Sequence, residues 1–204
     1  GFEDVRAMGR GQWGSTPFQL PVTMTARRVT GVGDVAGGLL TNMSAQGMLL
    51  ISGKAITGDG ILVRSDKLNG RISLFIDLPT GVYDLGLSGQ LMRYRIPGLG
   101  IVDVKTELKV VPAGPGQGSR VAGRGQAWVR QWENAFLAGL AGGLPVVETG
   151  LSRGPDGDLV LTGLSLRAPA LTLSGNGVRR RDGSFHFEGS GRQGLAQLTG
   201  QGVA

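Results

Sequence analysis

The chain has 204 residues, of which 38 are glycine and none is cysteine, and its formal net charge is +6. Without cysteine there are no disulfides, thiolate metal sites or cysteine nucleophiles, and a single histidine, His186, argues against a histidine metal cluster or a Ser-His-Asp triad. Glycine is far above its usual share of about 7%, but no Gly-X-Y period runs through the chain, which excludes a collagen-like protein.

The first elements in chain order are one weak helix and one hairpin. A short helix is predicted over Val32–Ala45, although two glycine-rich breaks interrupt it. Further on, alternating apolar residues predict a strand over Arg71–Leu78 and a second from Val82, joined by the turn Pro79–Gly81. Their shared dry face is predicted to carry Ile72, Leu74, Ile76, Leu85 and Leu87.

The stretch "IVDVKTELKVV" from Ile101 shows the clearest alternation. It predicts a half-buried strand, because apolar and charged residues take opposite faces. Val102, Val104 and Leu108 are predicted on the dry side. The predicted wet side carries Asp103, Lys105, Glu107 and Lys109.

Residues 128–141 depart from the strand pattern. Apolar residues from Val129 to Leu140 recur at helical spacing, and Gly142-Gly143 and Pro145 end the run. A helical insertion at about 128–141 is therefore predicted. Its Trp132 and Phe136 are predicted to pack as core, with capping of the dry sheet face as the alternative.

The C-terminal third returns to strands. Leu159 and Leu161, then Leu171 and Leu173, lie on predicted dry faces, and the apolar parity slips at Gly163, which predicts a β-bulge. Asp182-Gly183 predicts a hairpin turn before Phe185 and Phe187. The Gly-x-Gly units that begin at Gly175 and Gly189 are predicted to end strands, because no helix follows them as a phosphate-binding loop requires. Arg179, Arg180 and Arg181 sit at the predicted hairpin tip, either solvated or in contact with anionic headgroups.

These elements predict a mostly β protein made of an antiparallel meander with one or two short helices. One apolar row per strand needs a cover, which is either a second sheet, as in a sandwich, or an apolar ligand in an open trough. Basic residues interleaved with exposed aromatics, as nucleic-acid binding needs, are not seen, and no carboxylate pair, metal cluster or cofactor motif can be assigned. The sequence therefore predicts no catalytic residue, no metal, no cofactor and no nucleic-acid partner.

Three phrases carry a family resemblance: "IPGLGIVDVKTELKVVP", "GRGQAWVRQWENAFLAGLAGGLPVVETGLSRGPDGDLVLTGL" and "LTGLSLRAPALTLSGNGVRRRDGSFHFEGSGRQ". Over roughly residues 21–193 the chain resembles the repetitive periplasmic portion of TamB-like proteins of Gram-negative bacteria, in the AsmA-like group. The resemblance implies an elongated, curved sheet forming an open, taco-like hydrophobic groove. It also implies an inner-membrane anchor, a periplasmic span, an outer-membrane barrel partner, phospholipid transport and a part in outer-membrane protein assembly.

On this reading the chain is one β-rich segment over residues 1–204, an interior fragment of a longer, non-enzymatic protein whose ligand is phospholipid. Arg179, Arg180 and Arg181 are the predicted headgroup contacts. The alternatives are a structural or adhesive β-solenoid or sandwich of a secreted protein with a closed dry core, and, less favoured, a polysaccharide-active β-helix enzyme. The predicted groove lining is Ile72, Leu74, Ile76, Leu85, Leu87, Val102, Val104, Leu108, Leu159, Leu161, Leu171, Leu173, Phe185 and Phe187.

Overall fold

The structure is a computed structural model that describes residues 2–4, 6–9, 17–29, 41–96, 98–194 and 196–203. Within these ranges the chain forms fourteen β-strands and one α-helix, so the predicted mostly β fold class is confirmed. The strands are β1 Phe2–Glu3, β2 Arg6–Gly9, β3 Phe18–Val29, β4 Thr41–Ile51, β5 Ala55–Arg64, β6 Leu68–Asp77, β7 Tyr83–Ile96, β8 Gly100–Pro112, β9 Ser119–Trp132, β10 Val146–Arg153, β11 Leu159–Arg167, β12 Leu171–Arg179, β13 Phe185–Gln193 and β14 Ala196–Val203, and the helix is α1 Ala135–Ala141.

The strands pair antiparallel with their neighbours along the chain. Among the described strands the order runs in a line from β1 through β3 and each later strand to β14, with β2 beside β3, so the sheet does not close. The predicted antiparallel meander is therefore confirmed. This arrangement follows from the short turns between most of the strands, since strands joined by a few residues can only return antiparallel.

The chain divides into two compact units. Unit 1 comprises Gly1–Leu91 and Lys109–Pro112, and unit 2 comprises Met92–Leu108 and Ala113–Ala204. The prediction that residues 1–204 act as a single β-rich segment stays a prediction.

The predicted turns and bulge are confirmed. Asp77 and Tyr83 bound the turn between β6 and β7, in which the Gly81 N–H donates to the Asp77 carbonyl at 2.8 Å. Gly183, with φ of 91°, turns the chain between β12 and β13. The register of β11 against β12 shifts between Leu161 and Leu164, around Gly163.

The helix begins later than the sequence pattern predicts. The predicted range 128–141 is wrong for residues 128–132, which extend β9: Trp128 pairs with Val146 of β10, and the backbone at Gln131 lies against Gly100 of β8. The helix follows at Ala135–Ala141, where the Asn134 side chain caps the Leu137 N–H. The apolar residues here have helical spacing, but the same side chains also suit the two faces of a strand. Hydrogen bonding to neighbouring strands therefore determined the local structure.

The second predicted helix is not found where the structure can test it. Residues 32–40 of the predicted range Val32–Ala45 lie outside the described residues, and Thr41–Ala45 belong to β4. Extended pairing of β4 with β3 and β5 accounts for these residues. None of the helices in the described ranges has the length and apolar character needed to cross a membrane.

Candidate functional site

One face of unit 1 is apolar on every strand from β3 to β7. Side chains alternate between the faces of a strand, and the register brings one parity of each strand to the same side. We call this side the apolar face of unit 1; it comprises Phe18, Leu20, Val22, Met24, Ala26, Met43, Ala45, Leu49, Ile51, Ile56, Ile61, Val63, Leu68, Ile72, Leu74, Ile76, Tyr83, Leu85, Leu87 and Leu91.

Rows of apolar residues run across the strands of this face. In one row Leu20 pairs with Leu49, Leu49 with Gly58, Gly58 with Leu74 and Leu74 with Leu85. Cross-strand neighbours of this kind have Cβ atoms about 4.5–5.5 Å apart, close enough for side chains to touch. The face is therefore a continuous hydrophobic surface.

Most of this surface is half-buried rather than buried. Along β6 the pattern alternates strictly between half-buried residues on this face and exposed residues on the other, from Leu68 to Ile76. The described strands all belong to one sheet, so a second sheet does not account for the burial. Contiguous apolar surface that keeps contact with solvent is typical of a binding site.

Unit 2 has an apolar face of its own. Gly125 locates it, because a Cβ atom there would lie 3.3 Å from the Leu151 side chain and 4.0 Å from that of Thr106. From β10 onward the register continues this side through Leu161, Gly177 and Phe187. We call it the apolar face of unit 2; its larger side chains include Val102, Val104, Leu108, Val129, Leu151, Leu159, Leu161, Leu164, Leu166, Leu171, Leu173, Phe185 and Phe187.

Two phenylalanine rings on this face lie over glycines. A Cβ atom on Gly175 or Gly189 would lie 2.7 or 2.6 Å from the Phe187 ring, and one on Gly177 would lie 2.9 Å from the Phe185 ring. The prediction that these glycines end strands is wrong, since they lie inside β12 and β13. Their missing side chains make room for the rings and for close approach of the neighbouring backbone.

The two ends of the unit 2 face differ in burial. Val102, at 2% exposure, and Leu171, at 6%, are buried at one end, together with Val129. Helix α1 lies at this end, where the Ala141 carbonyl accepts the Ala170 N–H at 2.9 Å. At the other end the residues are half-buried, so the face is open there and closed beside α1.

The predicted role of Phe136 as core is wrong, because 74% of this residue is exposed on α1. Trp132 is half-buried, and its indole N–H donates to the Gly143 carbonyl at 2.8 Å. This hydrogen bond ties the end of β9 to the segment that follows the helix. The short helix therefore closes one end of unit 2 through small residues and backbone contacts rather than through its aromatic side chain.

The arginine triplet divides between two positions. Arg179 ends β12 on the parity of the apolar face, and Arg180 and Arg181 lie in the turn. Asp182 in the same turn accepts hydrogen bonds from the Ser184 hydroxyl at 2.6 Å and the Ser184 N–H at 2.8 Å. These bonds, the hydroxyl first, hold the pKa of Asp182 below its usual value.

The outer side of unit 2 holds a buried charge at Asp103, which the sequence placed in water. Only 7% of Asp103 is exposed. Its carboxylate accepts the Arg93 backbone N–H at 2.8 Å and the Arg130 Nε–H at 2.7 Å. The backbone hydrogen bond from Arg93, then that from Arg130, lowers the pKa of Asp103. Arg93 has a positive φ of 52°, so this carboxylate stabilises an irregular point of β7.

A second ion pair closes the turn after β9. The Arg95 Nε–H donates to the Glu133 carboxylate, and the Glu133 N–H donates to the Leu99 carbonyl at 2.9 Å. The side-chain hydrogen bond raises the pKa of Arg95 and lowers that of Glu133. Asp103 and Glu133 therefore both have a structural role, and hydrogen bonds from arginine residues favour the ionised form of each carboxyl group.

Two depressions lie mainly on the outer sides of the units. One in unit 1, of about 600 Å³, is lined by Met48, Leu50 and Phe75, whose side chains are partly exposed. One in unit 2, of about 330 Å³, is lined by charged and polar residues, among them Arg124 and Glu148. Most of the residues lining each depression are on the outer sides, so neither depression is an enclosed cavity within an apolar face.

The predicted lining residues share faces as the alternation indicates. Ile72 pairs with Leu87 and Leu74 with Leu85 in unit 1, and the nine from Val102 to Phe187 lie on the unit 2 face. Val102 and Leu171 are at its closed end. The sequence analysis missed the contribution of β3, although "FQLPVTMTA" alternates, and that of β4 and β5, where "MLLI" and "ILV" are apolar on both sides.

Within the described ranges, no group of three or more His, Cys, Asp or Glu residues is arranged to hold a metal ion. Comparisons with protein-family models, with curated proteins and with solved structures found no match. The site must therefore be interpreted from its own chemistry, which is that of an extended apolar surface with charged residues at its margins.

Proposed function

We propose that the chain is a non-enzymatic segment of a TamB-like protein that spans the periplasm from an inner-membrane anchor. In this proposal its apolar faces shield phospholipid acyl chains during transport between the inner and outer membranes, and an outer-membrane barrel partner and a role in outer-membrane protein assembly belong to the parent protein. The observation that carries the proposal is the half-buried apolar face of unit 1, which presents apolar side chains from β3 to β7.

The energetics favour acyl chains as the ligand. Each methylene group removed from water contributes about 0.8 kcal/mol, so a chain laid along the face gains several kcal/mol without any specific polar contact. Because the rows repeat from strand to strand, the ligand meets similar chemistry at each step along unit 1. Such a surface suits movement better than a single deep pocket does.

A closed, dry core in a structural or adhesive protein is the second candidate. The burial of Val102, Val129 and Leu171 at the α1 end of unit 2 favours it. Native mass spectrometry of gently purified protein separates the two candidates. Co-purifying phospholipid is expected for the transport segment, and protein free of lipid supports the dry core.

The direct test uses neighbouring residues on opposite faces. A benzophenone amino acid at Leu87 is expected to crosslink phospholipid, and the same group at Ser88, which is exposed on the outer side of β7, is the matched control. In unit 2, Leu108 and the exposed Glu107 form an equivalent pair. Equal lipid capture at both members of each pair, or capture at the outer members alone, contradicts the proposal.

A further inference from the structure

Two arginines end the strands on either side of Leu159. Arg153, the last residue of β10, pairs with Leu159, and Leu159 pairs with Arg179, the last residue of β12. Residues paired across adjacent strands share a face, so both arginines lie on the apolar face of unit 2, at its open end. Their backbones are two strand spacings apart, about 10 Å. Two arginine side chains are long enough to contact the same anion across this distance.

Arg153 was not among the predicted headgroup contacts, and only Arg179 of the triplet has this position. Arg180 lies in the turn beyond β12. A methyl group on Gly157 would lie 3.5 Å from the Arg181 Cδ, so the Arg181 side chain passes over the turn between β10 and β11. Arg180 thus carries the same charge nearby outside the paired strands, whereas the Arg181 side chain lies at the same turn glycine that the Arg153 side chain contacts.

The guanidinium groups of Arg153 and Arg179 are available to an anion. Among the described residues no carboxylate forms an ion pair with either. The Arg153 Nε–H donates to the Gly157 carbonyl at 3.0 Å, which fixes the side chain and leaves its terminal nitrogens. The nearby carboxylates already accept turn N–H groups: Asp156 that of Asp158, Asp158 that of Arg181, and Asp182 that of Ser184.

We propose that Arg153 and Arg179 bind the phosphate of an anionic phospholipid headgroup whose acyl chains lie on the apolar face of unit 2. Guanidinium groups are well suited to this, because they pair with phosphate through two parallel hydrogen bonds. This inference rests on the proposed function, and it adds the headgroup class and the orientation of the lipid.

The burial along the face determines that orientation. Because the arginines lie at the open end, acyl chains extend from them along the half-buried residues toward α1 and stop at the end closed by buried Val102 and Leu171. From Leu159 to Leu166, opposite Arg179 to Leu173, the face spans about 20 Å at roughly 3.3 Å per residue, since the bulge adds a residue to β11 without adding length. One leaflet of a bilayer is about 15 Å of hydrocarbon, half of its core of about 30 Å, so an acyl chain fits along the strand.

The test compares two double variants of equal charge. The protein is incubated with vesicles of phosphatidylglycerol and phosphatidylcholine in equal amounts, re-isolated, and its bound lipid is measured by mass spectrometry. Arg153→Gln with Arg179→Gln is expected to lower the ratio of bound phosphatidylglycerol to phosphatidylcholine by about fivefold for each arginine. Arg180→Gln with Arg167→Gln, the matched control at two exposed arginines outside this end of the apolar face, is expected to keep the wild-type ratio.

A further pair, Arg153→Lys with Arg179→Lys, preserves the charge and is expected to keep most of the preference. Circular dichroism melts check that each variant folds. Bound lipid with an unchanged ratio in the first double variant, or an equal loss in the control, overturns the headgroup site but leaves the transport proposal standing. If the wild-type protein binds no lipid, both proposals fail.

Discussion

The Asp103 carboxylate accepts the Arg130 Nε–H at 2.7 Å and is only 7% exposed, whereas most of the Arg130 side chain is in solvent. The same carboxylate accepts the Arg93 backbone N–H. One acid therefore links β7, β8 and β9 on the outer side of unit 2, behind the closed end of its apolar face. This contact stabilises the point at which the strand carrying Arg93 departs from regular geometry.

Asp103→Asn is expected to lower the free energy of unfolding by about 2 kcal/mol, because hydrogen bonds to a charged group contribute about 1.5–3 kcal/mol and the amide cannot accept both donors equally well. Urea denaturation measures the loss. Glu107→Gln, four residues along β8 on the same side and with the same change in charge, is expected to stay within about 0.5 kcal/mol of wild type. Equal effects of the two substitutions would show that charge, not burial, matters.

The stability of the protein is also expected to depend on pH through Asp103. Its pKa is lower in the folded protein than in the unfolded chain, so the unfolded state binds more protons as the pH falls. The stabilisation is present above the unfolded pKa of about 3.9 and is lost as the pH drops through the folded pKa. The difference in unfolding free energy between wild type and Asp103→Asn should be constant near neutral pH and shrink below about pH 4. A difference that persists unchanged down to about pH 2 would contradict this assignment.

Two glycines should respond in opposite directions to replacement by alanine. A Cβ atom on Gly175 would lie 2.2 Å from the Glu188 carbonyl oxygen, so Gly175→Ala forces β12 and β13 apart at a cost of about 1–3 kcal/mol. A Cβ atom on Gly139 meets nothing within 4 Å, and Gly139→Ala should stabilise α1 by up to about 1 kcal/mol. Thermal denaturation of both variants tests the pair, and a stabilised Gly175→Ala would refute the close strand approach.

Alternation predicted the strands whose two sides differ in polarity. In β6 and β8 the dry parity contains Ile72, Leu74 and Val104, and the other parity is exposed over most of β6 and from Lys105 to Lys109 in β8, as expected when one side of a sheet faces water. In β4 and β5 both parities are apolar, as at Leu49 and Leu50, so alternation could not show which side of these strands is buried.

Other features depend on contacts between residues distant in sequence. Asp103 is buried by partners 10 and 27 residues away, and a charged residue in an alternating strand gives no sign of such partners. The extent of β9 was likewise decided by its contacts with β8 and β10 rather than by the helical spacing around Trp132. Gly175 and Gly177 have the sequence appearance of strand ends because their role, accommodating Phe187 and Phe185, becomes visible only once β12 and β13 are paired.

Phe187, predicted to line the groove, and Phe136, predicted to pack as core, should differ sharply when truncated. Phe187 is half-buried, and its ring lies over Gly175 and Gly189, so Phe187→Ala exposes the backbone at both glycines. We expect a loss of about 2–3 kcal/mol in the free energy of unfolding, somewhat less than the 3–5 kcal/mol typical of a fully buried ring. Phe136→Ala, the same substitution at a residue that is 74% exposed, should change stability by less than about 0.5 kcal/mol. Urea denaturation of the two variants compares them directly. A large loss at Phe136 would indicate that α1 packs through its aromatic side chain after all.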